Sequence, residues 1–195
     1  MRSLKLILVA LSFLITGVSF AQNSGEAVTP YRKFSVYAGV GPSLFINNLV
    51  RSKNEVSAFQ YAFYARFMWE PKHSFVSLGI ETGYFKLYTV ESASPKAHVT
   101  NSSIPLMFDV SMRFGKNFSG TWGMGQSVTN SKVTNTDSAY NFNSSVWSLS
   151  DFTATLGYRF SEKKRLSYAA ELKGFYSSKY QNATIALLFL VGFKL

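Results

Sequence analysis

Seven charged residues stand out because they recur at alternate positions in segments otherwise made of apolar and small residues. They are Arg66, Glu81, Asp109, Asp151, Arg159, Glu171 and Lys173. A buried charge is costly unless it is paired, so such a set either lines a path for protons or ions or forms a paired network that fills an interior. Both signs recur on neighbouring segments, which favours the paired lumen charge network. The expected pairs are Arg66 with Glu81, and Asp151 or Arg159 with Glu171 or Lys173.

Few residues of the chain could support nucleophilic catalysis or metal binding. The chain has two histidines, His73 and His98, and no cysteine, so disulfides and Cys-ligated metal sites are excluded. Thr100 and two serines follow His98, and a hydroxyl beside a histidine is the arrangement of an activated nucleophile. Lipid A deacylases carry His-x-Ser on a strand, whereas the third position here is Thr100. The sequence predicts no enzyme activity, no catalytic or metal site and no cofactor, with an outer-rim lipid A hydrolase or acyltransferase left as an alternative.

The elements that position these residues are eight segments in which apolar and polar side chains alternate with a period of two. This is the pattern of a β-strand with two different faces. The last segment runs to the final residue and sets Ile185, Leu187 and Phe189 on one face. The pattern predicts an all-β fold, an eight-stranded antiparallel up-and-down transmembrane β-barrel. The predicted strands are residues 33–46, 56–69, 75–90, 102–114, 118–128, 146–160, 166–177 and 183–195.

The alternation does not by itself say which face meets lipid. About three dozen apolar side chains lie on the apolar faces, and an eight-stranded lumen holds only its own packed interior or one small ligand. The apolar faces are therefore expected to point outward. Tight turns, such as 115–117, alternate with longer Asn- and Ser-rich loops, such as 129–145. Short turns face the periplasm in outer-membrane barrels, so both termini are expected there.

The first residues have the pattern of a secretory signal peptide. Arg2 and Lys5 precede an apolar run that ends in Ser19-Phe20-Ala21, with small residues at the two positions that a signal peptidase reads. The predicted domains are a signal peptide over 1–21, a periplasmic lead over 22–31 and the outer-membrane barrel over 32–195. The formal charge of +10 is scattered over strand ends, which is typical of a membrane rim and argues against a nucleic-acid partner.

Four short motifs carry a family resemblance. They are Tyr37-Ala38-Gly39-Val40-Gly41, Leu78-Gly79-Ile80-Glu81-Thr82-Gly83-Tyr84, Ser103-Ile104-Pro105-Leu106 and Gly192-Phe193-Lys194-Leu195. In these the chain resembles the PorT-like family of small outer-membrane β-barrel proteins, typical of Bacteroidetes. That family usually ends on an aromatic residue, whereas this chain ends on Leu195. The resemblance implies a barrel in the outer membrane. Functions within the family are diverse, with some members linked to protein secretion and gliding.

Three functions remain open from the sequence. The leading one is a closed, monomeric barrel with a structural or docking role, whose outer loops form the contact surface. The second is a narrow conduit for small or apolar molecules, and the third is the rim enzyme. The expected partners are outer-membrane lipid and lipopolysaccharide, the barrel-insertion machinery and an envelope protein, with no nucleic acid.

Overall fold

The described part of the chain is built from antiparallel β-strands. The computed structural model describes residues 34–46, 56–71, 74–93, 96–135, 141–162 and 165–195, so the predicted signal peptide and periplasmic lead lie outside the described residues. The strands are β1 (Phe34–Ile46), β2 (Val56–Ser57), β3 (Phe59–Trp69), β4 (Val76–Ala93), β5 (Lys96–Phe114), β6 (Phe118–Asn135), β7 (Phe142–Glu162), β8 (Leu166–Ser177) and β9 (Asn182–Lys194). No helix among these residues is long and apolar enough to cross a membrane.

The sheet closes on itself between its first and last strands. β1 pairs with β3 on one side and with β9 on the other, where Val36 lies opposite Phe193 and Val40 opposite Phe189. β2 and β3 both pair with β4 and are separated by Ala58 alone, so together they count as one strand of the barrel wall. The wall therefore has eight strands, each antiparallel to its neighbours, which confirms the predicted fold class.

The outer surface of the barrel is an apolar belt. In β3, Phe59, Tyr61 and Phe63 are exposed, while the intervening Ala62 and Tyr64 are buried in the lumen. The same alternation on the other strands exposes aromatic and aliphatic side chains around the whole wall. Apolar residues on the outside of a closed barrel are the arrangement required by a hydrocarbon solvent. The outward facing inferred from side-chain volume is the one that the structure shows.

The two ends of the barrel differ. The start of β1, the end of β9 and the turn 115–117 lie at one end, which we call the terminal end; there Leu195 N donates to Phe34 O at 2.9 Å. Gly115 has φ of 67° in that turn, a conformation that glycine adopts without strain. The opposite, loop end carries the end of β1, the start of β5, the end of β6 and the turn 178–181.

Four strands extend further at the loop end than the sequence predicted. β4 continues to Ala93, β5 begins at Lys96, β6 continues to Asn135 and β7 begins at Phe142. The predicted loops 91–101 and 129–145 are therefore largely hydrogen-bonded ladder, with His98 opposite Thr134. These segments are rich in Asn, Ser and Thr on both faces and so lack the apolar alternation that marks a membrane strand. We call residues 86–93, 96–103, 128–135 and 142–149 the outer extension.

The apolar belt predicts a position-dependent cost of charge. Phe63, exposed near the middle of β3, should lie near the bilayer midplane, so Phe63→Arg should lower the free energy of unfolding by about 2–4 kcal/mol. Asn143→Arg, on the exposed outer extension, is the matched control and should change it by less than about 0.5 kcal/mol. Denaturant titration of protein folded in lipid vesicles measures both. Equal costs would contradict the belt.

Candidate functional site

Side chains of the inward face fill the lumen in three layers. The layer nearest the loop end is apolar and consists of Phe45, Phe85, Leu87 and Phe175, all nearly fully buried. The rings of Phe85 and Phe175 stack at 5.4 Å between centroids. This aromatic layer was not predicted from the sequence, because large apolar residues occur on both faces of the strands.

The middle layer is centred on Arg66. Its two Nη atoms donate to the two carboxylate oxygens of Glu171 at 3.1 and 3.2 Å, in the forked geometry that makes Arg–carboxylate pairs strong. The Nε atom lies 3.1 Å from Asp109 Oδ2. Nη2 also lies 3.5 Å from Glu81 Oε2. One buried guanidinium thus faces three carboxylates that come from three other strands.

Lys173 completes this middle layer. Its Nζ donates to both carboxylate oxygens of Glu81 at 2.6 Å and to Thr155 Oγ1 at 3.4 Å. The ring of Tyr64 lies against both cations, 4.9 Å from Arg66 Cζ and 4.6 Å from Lys173 Nζ measured to its centroid. An aromatic face at this distance attracts a cation. We call Arg66, Glu81, Asp109, Glu171 and Lys173 the central network.

The position of the central network is determined by the strand register and by one glycine. Arg66 and Glu81 lie directly opposite each other on β3 and β4, where side chains on the same face are nearest neighbours. Asp109 lies opposite Gly123, and a Cβ atom added at Gly123 would collide with Asp109 Oδ1 and Thr153 Oγ1. Glycine at position 123 therefore leaves the space into which the Asp109 carboxylate turns.

The electrostatics of the central network favour occlusion over transport. Two cations face three carboxylates, and all five side chains are at least nine-tenths buried. Every member lies within 3.5 Å of a group of opposite charge. A passing ion would have to separate these pairs in a low dielectric, where an unpaired charge costs several kcal/mol.

The layer at the terminal end is a second polar cluster. Tyr37 Oη donates to Glu70 Oε1 at 2.6 Å, and Arg113 Nη2 donates to Glu70 Oε2 at 2.5 Å. Arg159 Nη2 donates to Tyr37 Oη at 3.3 Å. A cavity of about 30 Å³ separates this cluster from Arg66 and is lined mainly by polar side chains, which is room for about two water molecules. Glu70 was missed from the sequence because it directly follows the last residue of β3.

Asp151 lies outside the central network, contrary to its expected pairing with Glu171 or Lys173. Arg159 belongs to the terminal-end cluster. Asp151 accepts hydrogen bonds from the hydroxyls of Ser127 and Ser148 and, at 3.0 Å, from Ser178 N. Lys173 lies opposite Thr155, four residues along β7 from Asp151, which is about 13 Å of strand. The structure thus brings together five of the seven residues selected from the sequence.

A smaller constellation occurs on the outer extension. His98 lies opposite Glu91, and its Nδ1 is 3.5 Å from Glu91 Oε1. His98 Nε2 lies 3.1 Å from Thr100 Oγ1. The histidine and glutamate side chains are 46% and 80% exposed, so both are in contact with water. Among the described residues, no three His, Cys, Asp or Glu side chains are grouped so that they could hold a metal ion.

A closed eight-stranded antiparallel wall, an apolar belt and a lumen filled with paired charges define the class: the fold is that of the small outer-membrane β-barrels. No family model matches the chain, and no curated protein matches its sequence. The resemblance to the PorT-like family therefore stays a prediction.

Solved structures with a similar fold include Neisserial surface protein A and Ail. Neisserial surface protein A matches with a TM-score of 0.53 and 12% identity, over 84% of this chain and 97% of that one. Ail, the attachment invasion locus protein of Yersinia pestis, in complex with the heparin analogue sucrose octasulfate, matches with a TM-score of 0.50 and 9% identity, over 84% of this chain and 99% of that one. At such identities the likeness shows the shared fold.

The central network predicts strong coupling between its members. Glu81→Gln keeps the shape of the side chain but leaves Lys173 buried without a carboxylate, so we expect a loss of about 3–5 kcal/mol in unfolding free energy. Adding Lys173→Met should recover part of this loss, because contacting residues are not additive. Glu91→Gln, at an exposed site, should cost less than about 1 kcal/mol. Denaturant unfolding of the unmutated chain, Glu81→Gln, Lys173→Met, the double variant and Glu91→Gln tests this, and additive losses in the double variant would contradict the network.

Proposed function

We propose that this chain is an integral outer-membrane protein whose barrel is closed to passage and whose loop end serves as a docking surface. The observation that carries the proposal is the filled lumen, in which the aromatic layer, the central network and the terminal-end cluster follow one another. The predicted signal peptide and the apolar belt support insertion in the outer membrane. Both termini are then periplasmic, since the long connections of such barrels face outward.

The proposed partners follow from the chemistry of the outer surface. Lys86 Nζ lies 5.6 Å from the centre of the Tyr61 ring, toward the loop end of the apolar belt. A cation beside an aromatic residue at that height suits the phosphate groups of lipopolysaccharide, while the belt below it suits acyl chains. The structure of Ail in complex with the heparin analogue sucrose octasulfate is an example of a barrel of this fold with a sulfated sugar bound, which supports the proposal of a sugar-rich, anionic partner. We propose a monomer that the barrel-insertion machinery places in this lipid, with an envelope protein as partner and without a nucleic-acid partner. A PorT-like contribution to secretion belongs to the same docking role.

The closed lumen has a direct electrical test. Purified protein in planar lipid bilayers should give no stable conductance steps under conditions in which a general porin conducts, because paired side chains occupy the space that water would need. The porin in the same membrane is the positive control. Large, stable steps from the unmutated protein would overturn the proposal and support the conduit function instead.

A second candidate function has one specific observation in its favour. Thr100, His98 and Glu91, on the outer extension, have the order of nucleophile, base and orienting acid used in acyl transfer. Two features weigh against it. Glu91 is exposed to water, where it orients a histidine weakly, and Thr100 lies within paired strands whose backbone N–H groups are engaged in the ladder, so they cannot stabilise an oxyanion.

The docking function predicts unchanged lipid A. Mass spectra of lipid A from cells expressing the chain should match those from cells without it, and His98→Ala and Thr100→Ala should alter nothing. If expression shortened lipid A by one acyl chain, and both variants abolished that change, the rim hydrolase would replace the docking function.

A further inference from the structure

Among the described residues, the outer extension leaves a long stretch of β7 unpaired along one edge. β7 begins at Phe142 and pairs with β6 along that stretch, with Phe142 opposite Val133. Its pairing with β8 begins only at Phe152, opposite Tyr176. Within the described part of the chain, residues 142–151 of β7 therefore have no strand on the side that faces β8. Closure removes free edges from the wall, but it does not reach this part of β7.

The free edge presents backbone groups in a defined order. Lys179 Nζ donates to Trp147 O at 3.2 Å, and Lys179 belongs to the turn between β8 and β9, so Trp147 O points toward the free edge. N–H and C=O groups of alternate residues in a strand point to the same side. Asn143 and Ser145 therefore direct their backbone groups to the free edge as well, and both residues are exposed.

The composition of this edge differs from that of a protected one. Natural proteins guard exposed edges with charged residues, with proline or with short strands. Residues 142–150 contain no charged residue and no proline. Phe142, Trp147 and Leu149 are 59%, 57% and 76% exposed. A long, uncharged edge with exposed apolar side chains, in a strand that is otherwise paired, is suited to receiving another strand.

The sheet behind the edge extends in register toward it. Val90, Val99, Val133 and Phe142 lie opposite one another across four strands, with Val90 opposite Val99, Val99 opposite Val133, and Val133 opposite Phe142. Cross-strand apolar neighbours stabilise one another, so an apolar side chain on an added strand would continue this row beyond Phe142.

The charges at this end indicate the chemistry of the occupant. Of the described side chains on the outer extension and the adjoining turn, Lys86, Lys132 and Lys179 are cationic, and Glu91 is the exposed acidic one. Lys179 lies at the edge itself. An acidic side chain on an incoming strand would meet it there, and an added backbone N–H would replace it on Trp147 O.

A second copy of the chain fits this edge poorly. Two copies in one membrane are related by a two-fold axis along the membrane normal. Their β7 strands would then run in the same direction with the sheets facing opposite ways, so the Val90 row of one copy would continue into the outward face of the other. A segment of a separate chain has no such restriction.

We propose that residues 142–150 of β7 receive an extended segment of another protein as an added β-strand, and that this segment carries an acidic side chain beside Lys179. The inference rests on the proposed docking function and gives it a surface and a class of partner. The contact is made by backbone hydrogen bonds along the edge, and the apolar row and Lys179 select the segment.

The test uses the full chain folded in phosphatidylcholine vesicles and a labelled peptide, Thr-Val-Glu-Val-Thr-Val-Glu-Val, as the probe. Fluorescence anisotropy should show saturable binding above that of protein-free vesicles. Ser145→Pro removes one edge-facing N–H at a position where an edge tolerates proline, and it should weaken binding about tenfold, the effect of one lost hydrogen bond near the upper end of its range. Ser145→Ala keeps the backbone and should bind like the unmutated chain.

Two further arms separate backbone pairing from charge and from self-association. Lys179→Gln should weaken binding of the acidic peptide but not of its Gln-substituted form, and a fully N-methylated peptide should not bind. Because the chain has no cysteine, Ser145→Cys provides a single thiol, and disulfide-linked dimers of this variant would show that a second copy takes the edge. Equal gel mobility of unheated and boiled samples in each variant would reveal any that fails to fold.

The outcomes are distinguishable from those for the proposed function. Absent peptide binding, or equal binding to the unmutated chain and Ser145→Pro, overturns the strand-addition inference even when the barrel is non-conducting. Stable conductance or altered lipid A overturns the proposed function whatever the peptide does.

Discussion

A strand in hydrocarbon must have every backbone N–H and C=O paired, and the rest of this structure depends on that constraint. The pairing of β1 with β9 meets it by closing the wall. A barrel closed with eight strands has a narrow lumen, so the inward side chains must fill it themselves. Charged residues drawn into such a space are stable only when they are paired, which is why Arg66 contacts carboxylates from three other strands.

The same constraint also accounts for where the outer surface is polar. In the apolar belt, the hydroxyl of Thr82 donates to Pro105 O at 2.8 Å, so even a solitary polar group facing lipid has a partner. Beyond the belt the solvent is water and unpaired backbone groups are tolerated, and there the strands lengthen and β7 loses its neighbour on one side. In the function proposed above, partners bind at the loop end, where backbone groups and mixed side chains are exposed, and not in the filled interior.

Much of the wall could be predicted because a barrel strand in lipid has two chemically different faces. The alternation located all eight strands of the wall, and the seventh predicted strand, residues 166–177, has the same bounds as β8 of the structure. It failed over β5 and β6 at the loop end, where polar residues occupy successive positions, such as Thr100 and Asn101, so that the two faces do not differ. Within the lumen, the two-residue alternation was enough to select Arg66 and Glu81 as inward-facing charges. The alternation assigns a residue to one face of the sheet but does not give its height along the barrel axis, so Asp151 was grouped with residues about four positions further along the wall.

The sequence by itself determined the class of fold, the outward face and the candidates for the interior, because these follow from a local two-residue period that each strand carries independently. Tertiary structure decided which candidates meet. The fork of Arg66 on Glu171 joins β3 to β8 across the lumen, and the stack of Phe85 on Phe175 joins β4 to β8. Both contacts depend on the stagger of the closed wall and the width of the lumen. Those are set by all the strand pairings together, and no single segment of the chain encodes them.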